Sequence, residues 1–324
     1  MSDAFVGIDI GKFKFDVAVL SPQIRTKHRA FSNDQEGFEK LVAWLESLGV
    51  DKPHFCMEAT GRYGEQLAYH LHDQGNKVSV VNPNCIKNYG RSKLKRTKND
   101  KIDAALIATY CERESPLLWH PLPAEAKELQ EMTRELNRAK DLLAQEKTRL
   151  KAGAHSPAVL SSIESRINFL EGQIETLEAQ IDDHIQSSTK LKKQRKLLVT
   201  IPGIGESTAN ALLAEIPDIH RFEGIRQLVA FAGLAPSERS SGTFRGQTRM
   251  SKVGSTRIRK LLYFPAVSSK RYNPVIIDFC DRIEAQGKSK MVALGGAMRK
   301  LLHIIYGVLK SGKPFNAKLH LQKA

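Results

Sequence analysis

The chain has 324 residues, 50 of them Lys or Arg against 35 Asp or Glu, which leaves a formal charge of +15. With 41% hydrophobic and 26% charged residues it is long enough for two or three domains with their own cores, and wholesale disorder is excluded. The positive excess calls for a polyanionic partner, nucleic acid or an anionic membrane surface.

The N-terminal MSDAFVGIDIGK lacks a basic stretch followed by an apolar one, so no secretory leader is expected. No uninterrupted apolar run of about 18 residues occurs, which argues against a membrane span. Cys56, Cys85, Cys111 and Cys280 lie far apart with no CxxC pair, which speaks against a zinc knuckle or disulfide framework and suits a reducing cytoplasm.

AFVGIDI (4–10) and FKFDVAVL (13–20) are rich in Val, Ile and Phe and are joined by Gly11-Lys12, the pattern of a hairpin. A third strand is expected near Arg25–Phe31, a helix over Glu36–Leu48 and a short buried strand at HFCMEA (54–59). GEQLAYHLHDQG (64–75) has helical period and ends on Gly75, and KVSVVN (77–82) is a strand stopped by Pro83. Hairpin strands followed by strand–helix alternation predict a mixed α/β sheet domain over 1–124.

Residues 125–195 differ in kind. Leu129, Met132, Leu136, Ala139, Leu143 and Leu150 form one stripe at three- and four-residue spacing. Leu160, Ile163, Ile167, Leu170, Ile174, Leu177 and Ile181 form a second stripe with a/d heptad spacing, after a turn marked by Gly153 and Pro157. The pattern predicts a coiled-coil helical hairpin, with two helices of an ordinary bundle as the plainer alternative. From 196 to 324 the chain reads as a mainly helical domain, apart from a Gly- and Arg-rich stretch at 233–256. MVALGGAMRKLLHIIYGVL (291–309) looks like a core helix interrupted by Arg299 and Lys300.

Four features carry chemistry. Asp9 lies inside an apolar strand and Glu58 ends another, expensive places for unpaired carboxylates. Asp100 and Asp103 share one face at the start of an expected helix. If helix and strands pack together, four carboxylates converge, and such a cluster calls for Mg²⁺ or Mn²⁺. Taken singly, Asp100 and Asp103 are also ordinary helix N-terminal acids and Glu58 a capping one, a reading that suits Asp9, mid-strand between Gly7 and Gly11, less well. GIDIGK resembles the first phosphate loop of actin-like ATPases too, but the second Gly-rich loop those enzymes need is missing.

The second feature is basic: Lys93, Lys95, Arg96 and Lys98 crowd the paired aspartates, and Lys190–Lys196 forms another run. The default reading of such runs is a solvated face, and phosphate contact is the functional one. Third, Ile201-Pro202-Gly203-Ile204-Gly205 matches the turn of a helix–hairpin–helix motif, in which Gly203 and Gly205 bring backbone N–H groups to a phosphate. Fourth, AGLAPSERSSGTFRGQTRMSKVGSTRIRK (232–260) carries Arg239, Arg245, Arg249, Lys252, Arg257, Arg259 and Lys260 around Ser240 and Ser241. A serine hydroxyl in that field is suited either to attack phosphorus or simply to donate hydrogen bonds to a phosphate.

GIDIGK, MEATGRY, RTKNDKIDA and GLAPSERSSG…RMSKVG together resemble, over essentially the whole chain, the DEDD transposases of insertion sequences, the bridge-RNA-guided recombinases. The resemblance implies an RNase H-like (RuvC-like) domain, a coiled-coil arm and a C-terminal transposase domain. It implies metal binding by Asp9, Glu58, Asp100 and Asp103, and a nucleophilic serine at Ser241, with Ser240 the neighbouring alternative. The implied partners are donor and target double-stranded DNA, a structured non-coding bridge RNA, and further copies of the chain in a dimer or tetramer with composite sites, in the bacterial cytoplasm and without a membrane. The implied reaction joins Ser241 to one DNA end and frees a 3′-hydroxyl. A RuvC-like nuclease acting without a covalent intermediate, and a catalytically silent nucleic-acid-binding protein, are the competing readings.

Overall fold

The computed structural model describes residues 4–59, 61–94, 99–153, 156–238, 240–241, 244–246 and 249–321. The chain divides into two compact units, residues 1–121 and 122–324.

The first unit is mixed α/β. Strands β1 (Phe5–Ile10), β2 (Lys14–Ser21) and β3 (Ile24–Ser32) are followed by α1 (Gln35–Ser47), β4 (His54–Glu58), α2 (Glu65–Asp73), β5 (Lys77–Val81), α3 (Pro83–Ser92) and α4 (Asp100–Glu114). The sheet order is β3-β2-β1-β4-β5. The β1–β2 and β2–β3 pairs are antiparallel, whereas β4 lies parallel to both β1 and β5. Helices supply the long crossovers that parallel pairing requires. Pro83 does more than stop β5: it occupies the first turn of α3, where its missing N–H costs nothing.

Strand alternation sends side chains to two covered faces. Val6, Ile8, Phe15, Val17 and Phe55 pack with Phe38, Leu41 and Leu45 of α1 and Leu67 and Leu71 of α2. On the other face Cys56 and Val81 pack with Ile86 of α3 and with Leu106, Ile107 and Cys111 of α4. Helix α4 lies so close to β1 that a methyl group at Gly7 would stand 2.2 Å from both Ala104 O and Ala108 N. Its start is fixed by Asn99, whose side chain accepts from Ile102 N at 2.8 Å.

The second unit is mainly helical. Helices α5 (Ala124–Ala152) and α6 (Pro157–Ser187) form a packed pair, followed by α7 (Thr189–Val199), α8 (Glu206–Glu215) and α9 (Ile225–Phe231). Four two-residue strands come next: β6 (Pro236–Ser237), β7 (Ser240–Ser241), β8 (Phe244–Arg245) and β9 (Arg249–Met250). Helices α10 (Thr256–Tyr272), α11 (Pro274–Ala285) and α12 (Lys290–Ser311) follow.

The α5–α6 stripes are buried unevenly. Ile163, Ile167 and Leu170 are covered, and Ile174 and Leu177 only partly. Leu129, Leu136, Ile181 and Ile185 belong to the same core as α7 to α12, so the base of the helix pair is continuous with that core. Helix α12 runs unbroken through Arg299 and Lys300, which are half-buried. By length and mean hydropathy α12 alone among the described helices is apolar enough to cross a membrane, although Arg299 and Lys300 interrupt its apolar run. Ten of its side chains are instead buried against the rest of the unit, as in a central core helix.

Candidate acidic site and serine-bearing loop

In the first unit the register brings carboxylates into one row. Asp9 pairs with Asp16 across β1 and β2. One step beyond the last β1–β4 pair, Ile8 with Met57, Asp9 and Glu58 stand side by side on parallel strands. Asp9 alternates with Gly7 and therefore lies on the face covered by α4. Asp100 and Asp103 occupy the first turn of α4, and Ala104, which touches β1 at Gly7, follows at once.

The structure adds three residues that the sequence reading passed over. Asp16 is 5% exposed, and its carboxylate accepts from Lys14 Nζ at 3.0 Å and meets His28 Nε2 at 2.8 Å. Lys14 Nζ also donates to Asp100 Oδ2 at 2.8 Å. Those bonds to Asp100 and Asp16 push the Lys14 ammonium up, and Lys14 in turn holds the Asp100 carboxyl below the usual carboxylate range. The signal for Asp16 was present in the sequence. An aspartate between Phe15 and Val17 of an apolar strand is the same anomaly that marks Asp9.

Among the described residues no three His, Cys, Asp or Glu side chains converge closely enough, as they stand, to hold a metal ion. The donor set is one that a cation would suit. Its donors are hard carboxylate oxygens, and an ammonium group bridges two of them. That chemistry fits Mg²⁺ or Mn²⁺ rather than a softer ion.

Of the basic residues beside this site, Lys93 caps the C-terminus of α3 and lies over the Tyr89 ring at 5.3 Å. Lys95, Arg96 and Lys98 lie outside the described residues.

In the second unit the described parts of the Gly- and Arg-rich stretch form two separate two-stranded pairs. Pro236 and Ser237 pair with Met250 and Arg249, and Ser240 and Ser241 pair with Arg245 and Phe244. Ser241 is exposed, in the β7–β8 pair. Arg249 and Lys252 are exposed too, and Lys252 adopts a left-handed φ of 57°. Arg239 lies outside the described residues, and only the backbone of Arg245 is described.

The base of this loop is locked. Gly254, at φ 141°, packs so tightly that a methyl group there would meet Gly233 N and Phe231 O at 2.5 Å. Arg259 Nη1 donates to Ala232 O at 3.1 Å and Gly254 O at 3.2 Å. Lys260 is paired with Asp141 at 2.7 Å. Two cations that the sequence reading offered to phosphate thus have work within the unit, Arg259 in closing the loop and Lys260 in tying α10 to α5.

The IPGIG turn joins α7 to α8. Gly203, at φ +101°, faces α10, where a methyl group would lie 2.1 Å from Ser269 Oγ. Ser269 Oγ donates to Pro202 O at 3.0 Å. Gly205 is exposed, and a methyl group there would meet nothing within 4 Å, so of the two glycines it is the one open to a ligand.

Two family models match the chain. Residues 6–161 match a transposase family model of the DEDD IS110 type, and residues 195–281 match a second model described as transposase, IS116/IS110/IS902 family. The chain is 36% identical over 325 residues to the pilin gene-inverting protein of Moraxella bovis, covering 99% of this chain and all of that one. The pilin gene-inverting protein of Moraxella lacunata matches to the same extent. The transposase for insertion sequence element IS1328 of Yersinia enterocolitica is 25% identical over 289 residues, covering 79% of this chain and 81% of its own. The chain belongs to the IS116/IS110/IS902 family of transposases.

Proposed function

We propose that this transposase is an RNA-guided DNA recombinase that cuts and rejoins strands through a phosphoserine at Ser241, assisted by an acidic metal site on an RNase H-like (RuvC-like) sheet. The observation that carries the serine reading is an exposed Ser241 in a short strand pair, within a loop whose ends are fixed by Gly233, Gly254 and Arg259. A nucleophile on a short strand pair, in a loop rich in Arg and Lys, suits the orientation and charge requirements of attack on a phosphodiester.

Ser241 Oγ bonds to phosphorus as its proton leaves, and the bond from phosphorus to the 3′-oxygen breaks to give a free 3′-hydroxyl. After exchange, a 3′-hydroxyl from the other duplex attacks the phosphoserine, restores the diester and returns the proton to Ser241. One ester replaces another at each step, so no nucleotide triphosphate is needed. Asp9, Glu58, Asp100 and Asp103 are the residues that would hold Mg²⁺. The ion, when bound, offsets charge developing on the phosphoryl oxygens. Arg249 and Lys252 contact the DNA backbone, and Gly205 at the IPGIG turn offers an open approach to a phosphate. The Moraxella proteins named for pilin gene inversion extend the substrate class to invertible segments of duplex DNA.

The test is a denaturing gel of labelled donor and target DNA, cognate RNA, Mg²⁺ and protein. A covalent protein–DNA band is expected, lost in Ser241→Ala and Asp9→Ala and kept in Ser240→Ala. Cleaved DNA with no adduct would leave a metal-dependent RuvC-like nuclease using water. Salt-sensitive binding without scission would leave a DNA-binding protein.

A further inference from the structure

Asp16 is the most deeply buried carboxylate of the acidic row and stands in register beside Asp9. Two carboxylates so placed repel each other, and burial raises the cost of leaving either one uncompensated. Asp16 is answered by His28 at 2.8 Å and by Lys14 at 3.0 Å. The Lys14 ammonium does not stop there. It reaches Asp100 at 2.8 Å, tying the first turn of α4 to β2 across 86 residues of sequence.

The two arms of this bridge are unequal. The Asp16 side chain is 8% exposed, whereas Lys14 and Asp100 are 58% and 57% exposed. An exposed ion pair is weak and opens readily, while a buried carboxylate holds its partner. Lysine suits such a post: a compact charge on a flexible four-carbon stem keeps one contact while releasing another.

We propose that Lys14 is a built-in counter-cation of the acidic site, anchored on Asp16, which occupies Asp100 until a divalent ion displaces it and so sets the ion concentration at which the site loads. This rests on the metal reading above and adds to it a competitor supplied by the chain. Asp100 Oδ2 cannot serve ammonium and metal fully at once, and two cations on one carboxylate repel. Entry of the ion therefore includes breaking the Lys14–Asp100 pair, with Lys14 retained by Asp16.

The experiment titrates Mn²⁺ into the full-length protein without DNA or RNA and follows free Mn²⁺ by electron paramagnetic resonance. Wild type, Lys14→Met, Lys14→Gln, Lys14→Arg and Asp9→Asn are compared, each first shown to melt cooperatively. Removing the competing charge is expected to tighten Mn²⁺ binding roughly three- to tenfold in Lys14→Met and Lys14→Gln, the scale of a broken exposed pair plus relief of cation repulsion. Lys14→Arg is expected to stay near wild type. The Mg²⁺ concentration for half-maximal strand cleavage should fall by a similar factor in the neutral variants. Unchanged or weaker Mn²⁺ binding in both neutral variants, with Asp9→Asn still abolishing it, overturns the counter-cation alone. Wild-type binding that Asp9→Asn leaves intact, or no binding at all, overturns the metal reading and this inference with it.

Discussion

Gly7 offers the sharpest test of how the acidic row is assembled. Changing it to alanine places a methyl group 2.2 Å from Ala104 O, 2.2 Å from Ala108 N and 2.9 Å from Ala108 Cα. All three are backbone atoms, so no side chain can rotate away, and α4 must retreat from β1 by more than about 1 Å to regain ordinary contact beyond 3.4 Å. Forcing atoms into a packed interface costs about 1–3 kcal/mol. For a unit of this size the thermal midpoint falls by roughly 4–12 °C. The same retreat carries Asp100 and Asp103 away from Asp9, and a misplacement of about 1 Å in a catalytic constellation costs on the order of a hundredfold in rate. Differential scanning calorimetry and the cleavage gel read the two effects separately. Gly172→Ala on α6 is the matched control: a methyl group there meets nothing within 4 Å. It removes a helix-interior glycine and is expected to stabilise by about 0.4–1 kcal/mol. If Gly7→Ala melts and cleaves like wild type, α4 does not sit on β1 as described and the argument for converging carboxylates fails.

Two further outcomes follow from the second unit. His303 is half-buried, with no hydrogen-bond partner for Nε2 among the described residues, and burial, then Arg299 and Lys300, push its imidazole below the usual range. A depressed histidine contributes stability that is whole above its unfolded pKa of about 6.5 and is lost as pH falls. Urea melts at pH 7 and pH 5 should therefore show a smaller acid-side loss in His303→Leu than in wild type, and equal losses would refute the assignment. Gly203→Ala combines a φ of +101° with a methyl group 2.1 Å from Ser269 Oγ. It should destabilise by about 1–3 kcal/mol. Gly205→Ala, in open space, should not, and chemical denaturation that ranks them the other way would overturn the account of the turn.

The first unit was legible because its signals are local. Apolar alternation marks β1, β4 and β5, and Gly75 and Pro83 punctuate them. Asp9 and Glu58 stand out as acids in apolar strands, and parallel pairing then puts them side by side. What stayed hidden depends on partners far away in the sequence. Asp16 matters because β2 sets it against Asp9, and Lys14 because α4 brings Asp100 to it. The closeness of α4 rests on Gly7, a glycine that in isolation looks like any other. The pair around Ser241 has strands of two residues, too short for any periodicity. Arg259 reads as one more phosphate-seeking cation until Ala232 O and Gly254 O are seen to occupy it.

The sheet of the first unit ends at β3, and a strand at a margin presents unpaired N–H and C=O groups on which a foreign strand can add. Lys27 and Arg29 are exposed along this margin. Two copies meeting margin to margin would set like charges against one another, a destabilising pairing. Growth of the sheet from molecule to molecule, the first step toward insoluble strand ladders, is thereby discouraged along this side. Lys27 and Arg29 thus blunt a margin that the fold leaves open, and do so without a covering helix or a shortened strand.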